Sequence, residues 1–300
     1  MDFVESVGNT PLVLLEHINP EHGRVSLYAK AELFNPSGSV KDRAAKSMVL
    51  DGLKTGALTK DKILIDATSS NTGIAYAMLG AVYGFKVRLV VPANVSGTRT
   101  NLMKAYGAEV IESDPMEGAD GAFFKVRSIV QEDPGAYFYP DQYNNPANWR
   151  AHYEGTAEEI WRQTDGKVTH FITGGGTTGT FTGTSRRLHE LKADVHTFLM
   201  QPDGPFHGIE GNKHLASTER PGIFDESLVE GIVPVATETA YKTVHELARR
   251  EGILVGISSG ANVAAALELA KSAPDGSVLV TVLCDAGYRY LDEPVWEGLR

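Results

Sequence analysis

Short apolar runs alternate with helical stretches along most of this 300-residue chain, and few architectures accept that rhythm. Residues 62–67, 86–91 and 108–111 read as strands, and residues 72–83 and 99–106 as the helices between them. An irregular passage over 133–146, rich in Pro, Gly, Asn and aromatic residues, interrupts the series. The alternation then resumes. Residues 168–173, 195–200, 253–257 and 278–283 read as strands, with helices over 148–162, 181–192, 239–250 and 262–271. Strands that are apolar almost throughout are covered on both faces, which is the condition of a parallel sheet built from βαβ units. The spacing predicts an α/β protein of two lobes, each a mostly parallel twisted sheet flanked by helices, with 133–146 crossing between them.

Composition narrows the partners. The chain is 42% hydrophobic and 22% charged, enough to form a core without staples. Asp and Glu outnumber Lys and Arg by 38 to 28, a net charge of −10, and the cations form no run. Nucleic acids and anionic membranes are therefore poor partners. The single cysteine, Cys284, excludes an internal disulfide framework, suits a reducing cytosol and reads as a buried core thiol. The N-terminus has neither the basic nor the apolar segment of a secretion signal, and no uncharged apolar run reaches the length of a membrane span. These features read as cytoplasmic. The nine histidines show no metal-binding spacing, so no metal site is expected.

Four stretches carry chemistry. In Asn35-Pro36-Ser37-Gly38-Ser39-Val40-Lys41-Asp42-Arg43, Pro36 and Gly38 punctuate a turn and helix follows, which puts Lys41 at a loop-to-helix junction. Helix N-termini disfavour an ammonium, so a lysine there is a candidate nucleophilic amine, able to form a Schiff base. A solvated surface lysine is the plainer reading. In Thr173-Gly174-Gly175-Gly176-Thr177-Thr178-Gly179-Thr180, glycines after a strand and before a helix let backbone N–H groups approach a phosphate. Gly174, Gly176 and Gly179 also satisfy the dinucleotide fingerprint, with Asp194 at the distance of a ribose-binding acid, so a nicotinamide-dependent oxidoreductase is a rival. Ala67-Thr68-Ser69-Ser70-Asn71-Thr72-Gly73 offers hydroxyls and an amide at a helix start, fit for a carboxylate or a phosphate, or simply for capping. Ser258-Ser259-Gly260 reads as the cap of a helix beginning near Ala261.

Together these stretches resemble the cysteine synthase family, the pyridoxal-phosphate β-replacement enzymes of fold type II, and are most similar to its B-type O-acetylserine sulfhydrylases. The likeness runs from Gly8-Asn9-Thr10-Pro11-Leu12 to Gly287-Tyr288-Arg289-Tyr290-Leu291. It implies a fold like that of the tryptophan synthase β subunit, with a smaller mobile lobe over 36–145 and a larger lobe over 146–300 on which 1–35 packs. It implies that Lys41 holds pyridoxal 5′-phosphate and acts as the catalytic base. Gly176, Thr177, Thr178, Gly179 and Thr180 would cradle the cofactor phosphate, Asn71 would bond the ring 3′-oxygen, and Ser258 would face the pyridine nitrogen. Thr68, Ser69, Thr72 and Gln142 would hold the substrate carboxylate. The implied reaction is formation of L-cysteine from O-acetylserine and sulfide or another sulfur donor through an α-aminoacrylate, in a homodimer.

The sequence departs from the family at Ser70, where most members have glycine, and at Asp292, where a serine or threonine is common. The piece over 202–221 also follows the family poorly. There Lys213, His207 or His214 would suit a phosphate leaving group, so O-phosphoserine sulfhydrylase is an alternative, followed by cystathionine β-synthase and diaminopropionate synthase. A second rival is a catalytically weak homologue that holds the cofactor and serves as a binding or assembly protein, with Ser70 as its warning sign.

Overall fold

The computed structural model describes residues 3–297 apart from 94, 115 and 117. In chain order, β1 (Leu12–Leu14) pairs antiparallel with β2 (Ser26–Ala31). A series then follows of α1 (Lys41–Thr55), β3 (Ile63–Ala67), α2 (Asn71–Tyr83), β4 (Lys86–Pro92), α3 (Gly97–Ala105), β5 (Glu109–Ser113), α4 (Gly118–Glu132) and β6 (Tyr137–Phe138). Next, α5 (Pro146–Ala151) continues through a π-helical turn (His152–Thr156) into α6 (Ala157–Gln163). The chain is completed by β7 (His170–Gly174), α7 (Gly179–Leu191), β8 (His196–Pro202), β9 (Gly231–Val235), α8 (Thr237–Glu246), α9 (Ile257–Ser272) and β10 (Val278–Leu283).

These elements form two compact units, Met1–Val7 with Lys41–Asn148, and Gly8–Val40 with Trp149–Arg300. The smaller unit holds a four-stranded, wholly parallel sheet in the order β5-β4-β3-β6. Its helix α2 is buried from Thr72 through Gly80, because it lies among strands and other helices instead of at a surface. The larger unit holds a six-stranded sheet in the order β1-β2-β10-β7-β8-β9, parallel except for β1. Its main core gathers Leu27, Ile172, Met200, Val263 and Leu279 from the strands and from α9. Both sheets are α/β layers of the expected kind. Among the described residues no helix is long and apolar enough to cross a membrane.

One expected strand is absent. Over 253–257 only Val255 pairs, in a single antiparallel bridge to Ala286, and α9 begins at Ile257, ahead of the expected start near Ala261. Gly252, at φ +69°, ends the preceding helical turn, and the place beside β8 belongs to β9. That strand escapes a search for apolar runs because it lies at the sheet edge, half-exposed, with Pro234 inside it.

Candidate functional site

The smaller unit carries the lysine and the hydroxyl-rich loop. Lys41 is the first residue of α1 and is half-buried. The turn before it is shaped by Gly38, whose φ of +83° suits glycine and whose missing Cβ would lie 2.7 Å from Arg289 Nη2. After β3 the chain turns over 68–70 into α2. Thr68 Oγ1 accepts hydrogen bonds from the Ser70 and Gly73 N–H groups, both at 3.1 Å, so this hydroxyl caps the helix start. Ser69 is exposed, and Asn71 opens α2 half-buried. The Thr72 hydroxyl donates to Gln142 Oε1 at 3.1 Å, which joins two residues that the sequence separates by 70 positions. Ser70 is buried, and its hydroxyl has no hydrogen-bond partner.

Behind this loop stands Asp66, which the motifs did not single out. It is 1% exposed, and burial pushes its carboxyl up to about 8 against hydrogen bonding from the Ala67 N–H and the Tyr76 hydroxyl. Gln142 Nε2 donates towards Asp66 Oδ2 at 3.4 Å and to the Ala67 carbonyl at 3.2 Å.

The larger unit carries the glycine-rich turn between β7 and α7. A Cβ at Gly174 would meet the ends of the Asn212 and Met200 side chains, which can shift, whereas one at Gly176 would meet the backbone carbonyl of Gly211, so the second position demands glycine. Thr178 stands at φ +68° immediately before α7. The irregular piece over 201–224 folds back on this turn, where the Lys213 N–H donates to the Gly175 carbonyl at 2.9 Å. Lys213 Nζ donates to the Glu219 carbonyl, and His214 Nδ1 pairs with the Ser217 hydroxyl at 2.8 Å. Burial and the nearby His214 hold His207 below the usual histidine range.

Two further residues support the turn, and sequence reasoning missed both. Asn262 is fully buried on α9; its Oδ1 accepts the Gly174 N–H at 2.7 Å, and its Nδ2 donates to the Val282 carbonyl at 2.9 Å. His152 is buried in the π-helical turn, where its Nδ1 pairs with the Thr156 hydroxyl at 2.9 Å and its Nε2 with the Thr180 hydroxyl at 3.3 Å. Such turns recur at functional sites and are the only sequence-independent signal that would have found it. At the start of α9 the two serines differ. Ser259 Oγ accepts the Cys284 N–H at 2.8 Å, whereas Ser258 is half-buried in the first turn. Cys284 itself is half-buried, not a fully enclosed thiol.

The dinucleotide reading fails on topology. β7 and β8 are parallel with His170 opposite His196, so Asp194, which precedes β8, lies at the end of the sheet away from the turn that follows Gly174. It is also largely exposed, 4.0 Å from Lys192. The turn instead has the chemistry of a monophosphate cradle: glycines that admit close approach, threonine hydroxyls, and the N-terminus of a 13-residue helix whose first N–H groups have no intrahelical acceptor. Among the described residues no group of three or more His, Cys, Asp or Glu is placed to hold a metal.

A family profile described as "Pyridoxal-phosphate dependent enzyme" matches residues 4–285. A cysteine synthase of Aquifex aeolicus is 51% identical over 290 residues, which cover 95% of this chain and 89% of the relative. A cysteine synthase B of Salmonella typhimurium is 43% identical, with 97% and 95% covered. Among solved structures, a cysteine synthase of Entamoeba histolytica superimposes with a TM-score of 0.93 at 35% identity, over 98% of this chain and 90% of that one.

Proposed function

The chain belongs to the pyridoxal-phosphate dependent enzymes, and we propose that within that family it forms L-cysteine from O-acetylserine and sulfide. The observation that carries this reading is the likeness to cysteine synthases over nearly the whole chain. When bound, pyridoxal 5′-phosphate supplies an electron sink that lets the substrate lose a Cα proton and then its β-substituent.

The residues divide the remaining work. Residues 176–180 would hold the cofactor phosphate through backbone N–H groups, threonine hydroxyls and the helix N-terminus. Gly176 keeps that turn open, and Asn262 and His152 hold its two ends. Asn71 would bond the ring 3′-oxygen. Ser258 would face the ring nitrogen, because Ser259 is already engaged with Cys284. A neutral hydroxyl there would leave the nitrogen largely unprotonated and favour β-elimination over transamination. Ser69, Thr72 and Gln142 bind the substrate α-carboxylate, while Thr68 fixes the loop that presents them. Lys41 Nζ removes the Cα proton and returns it to the product. Acetate leaves Cβ before sulfide adds there, so the kinetics are ping-pong.

The smaller unit is the mobile lobe, whose closure keeps water from the reacting substrate. The protein works as a homodimer in the cytoplasm, a reading supported by the family likeness and by the single cysteine. Turnover of purified protein with sulfide tests the reading. O-acetylserine is expected to yield L-cysteine with parallel double-reciprocal plots; turnover of O-phosphoserine alone contradicts the leaving group, and turnover of neither contradicts the reaction.

A further inference from the structure

Gln142 is fully engaged before any substrate arrives. Its Oε1 accepts the Thr72 hydroxyl at 3.1 Å, and its Nε2 donates to the Ala67 carbonyl at 3.2 Å and to Asp66 Oδ2 at 3.4 Å. The two donor contacts use both amide hydrogens. Its backbone is pinned as well, since Asn148 Nδ2 donates to the Gln142 carbonyl at 2.7 Å. Only the amide is therefore free to move, and all of its bonds are at the long end of the hydrogen-bond range. An amide that already has acceptors for both hydrogens can serve a carboxylate only by leaving one of them.

We propose that Asp66 is a positioning residue that latches the Gln142 amide in the free enzyme and surrenders it to the substrate α-carboxylate. The proposal rests on the reading of Thr72 and Gln142 as carboxylate-binding residues. Chemistry sets the strength of the latch. A protonated carboxyl is a weak acceptor, and Gln142 leaves it easily; an ionised carboxylate is a charge-assisted acceptor, and it also repels a substrate carboxylate. The groups acting on Asp66 are the Ala67 N–H beside it, the Tyr76 hydroxyl from α2, and Asp141 from the stretch after β6; Asp66 in turn acts on Tyr139 of that same stretch. Charge interaction with Asp141 raises Asp66 further, and Arg127 of α4 acts on Tyr139. With the carboxyl pushed up to about 8, the latch tightens across the alkaline edge of the physiological range. Amino-acid binding therefore weakens as pH rises.

Binding of L-alanine, which has the carboxylate but no leaving group, to the holoenzyme by calorimetry between pH 7 and 9 tests the latch. If binding requires the protonated carboxyl, affinity in the wild type falls about tenfold over that interval relative to Asp66→Asn, because one proton is linked to each binding event. Asparagine imitates the protonated acid, so both proteins bind alike at pH 7. Gln142→Ala binds more weakly at pH 7 and keeps only the part of the extra pH dependence that comes from carboxylate repulsion, which keeps the test open if Asp66→Asn fails to fold. Parallel pH profiles in wild type and variants overturn the latch and leave the proposed reaction standing. Failure of wild type to bind L-alanine at pH 7 overturns the α-amino-acid site itself, and the latch with it.

Discussion

The Ser70 hydroxyl is a buried polar group without a partner, a condition that costs about 1–3 kcal/mol. Ser70→Ala removes the hydroxyl and leaves the backbone of the loop unchanged, so cofactor-free protein is expected to gain about 1 kcal/mol, read as a higher urea midpoint at constant slope. Asp66 governs stability in a different way. Its folded-state carboxyl holds a proton up to about pH 8, whereas the unfolded chain releases it near pH 4. Its contribution is fully present below pH 4 and is lost as pH rises to 8, at about 1.4 kcal/mol per unit. Asp66→Asn has no proton to lose, so the same titration of stability in this variant is expected to be flatter by that slope. Lys41, Asn71 and Thr72 could be nominated from the sequence because each sits in a local motif whose glycines and hydroxyls announce a turn. Asp66 reads locally as a polar interruption of an apolar strand, and its meaning depends on Gln142, 76 residues away. His152 is likewise defined by Thr180, 28 residues on, and lies in a turn with no periodic signature.

Two helix junctions depend on glycine for close approach. A Cβ at Gly176 would lie 2.1 Å from the backbone carbonyl of Gly211, and backbone cannot swing aside as a flexible side chain does. Gly176→Ala is expected to weaken retention of pyridoxal phosphate at least tenfold, measured by equilibrium titration, with the far-ultraviolet spectrum unchanged. At Gly183 in α7 the added carbon would meet the Trp149 carbonyl at 2.0 Å, where α7 packs on the helix that carries His152. Gly183→Ala is expected to cost about 1–3 kcal/mol through overpacking, read by thermal unfolding. The βαβ series was legible because buried parallel strands are apolar along their whole length. The exception followed from the same physics. In residues 253–257 the apolar Val255 and Ile257 are buried in the core, but the stretch forms only one bridge, whereas β9 is a true strand with the mixed composition of an edge.

At the scale of the molecule, the chain combines a lysine at the start of one helix with a glycine-rich turn at the start of another, on two separately packed α/β units. The parallel architecture of both units was readable from hydrophobic runs, whereas lobes over 36–145 and 146–300, with 1–35 on the larger, came from the family resemblance alone. Residues 8–40 join the larger unit through β1 and β2, and the antiparallel pairing of β1 with β2 is invisible to a search for βαβ spacing. The proposed reaction depends most on Lys41 being the lysine that holds the cofactor. Reduction of the purified holoprotein with borohydride, followed by proteolysis and mass spectrometry of the peptides, tests this directly. The predicted result is a phosphopyridoxyl adduct on Lys41; an adduct confined to another lysine, or none after saturation with pyridoxal phosphate, would contradict it.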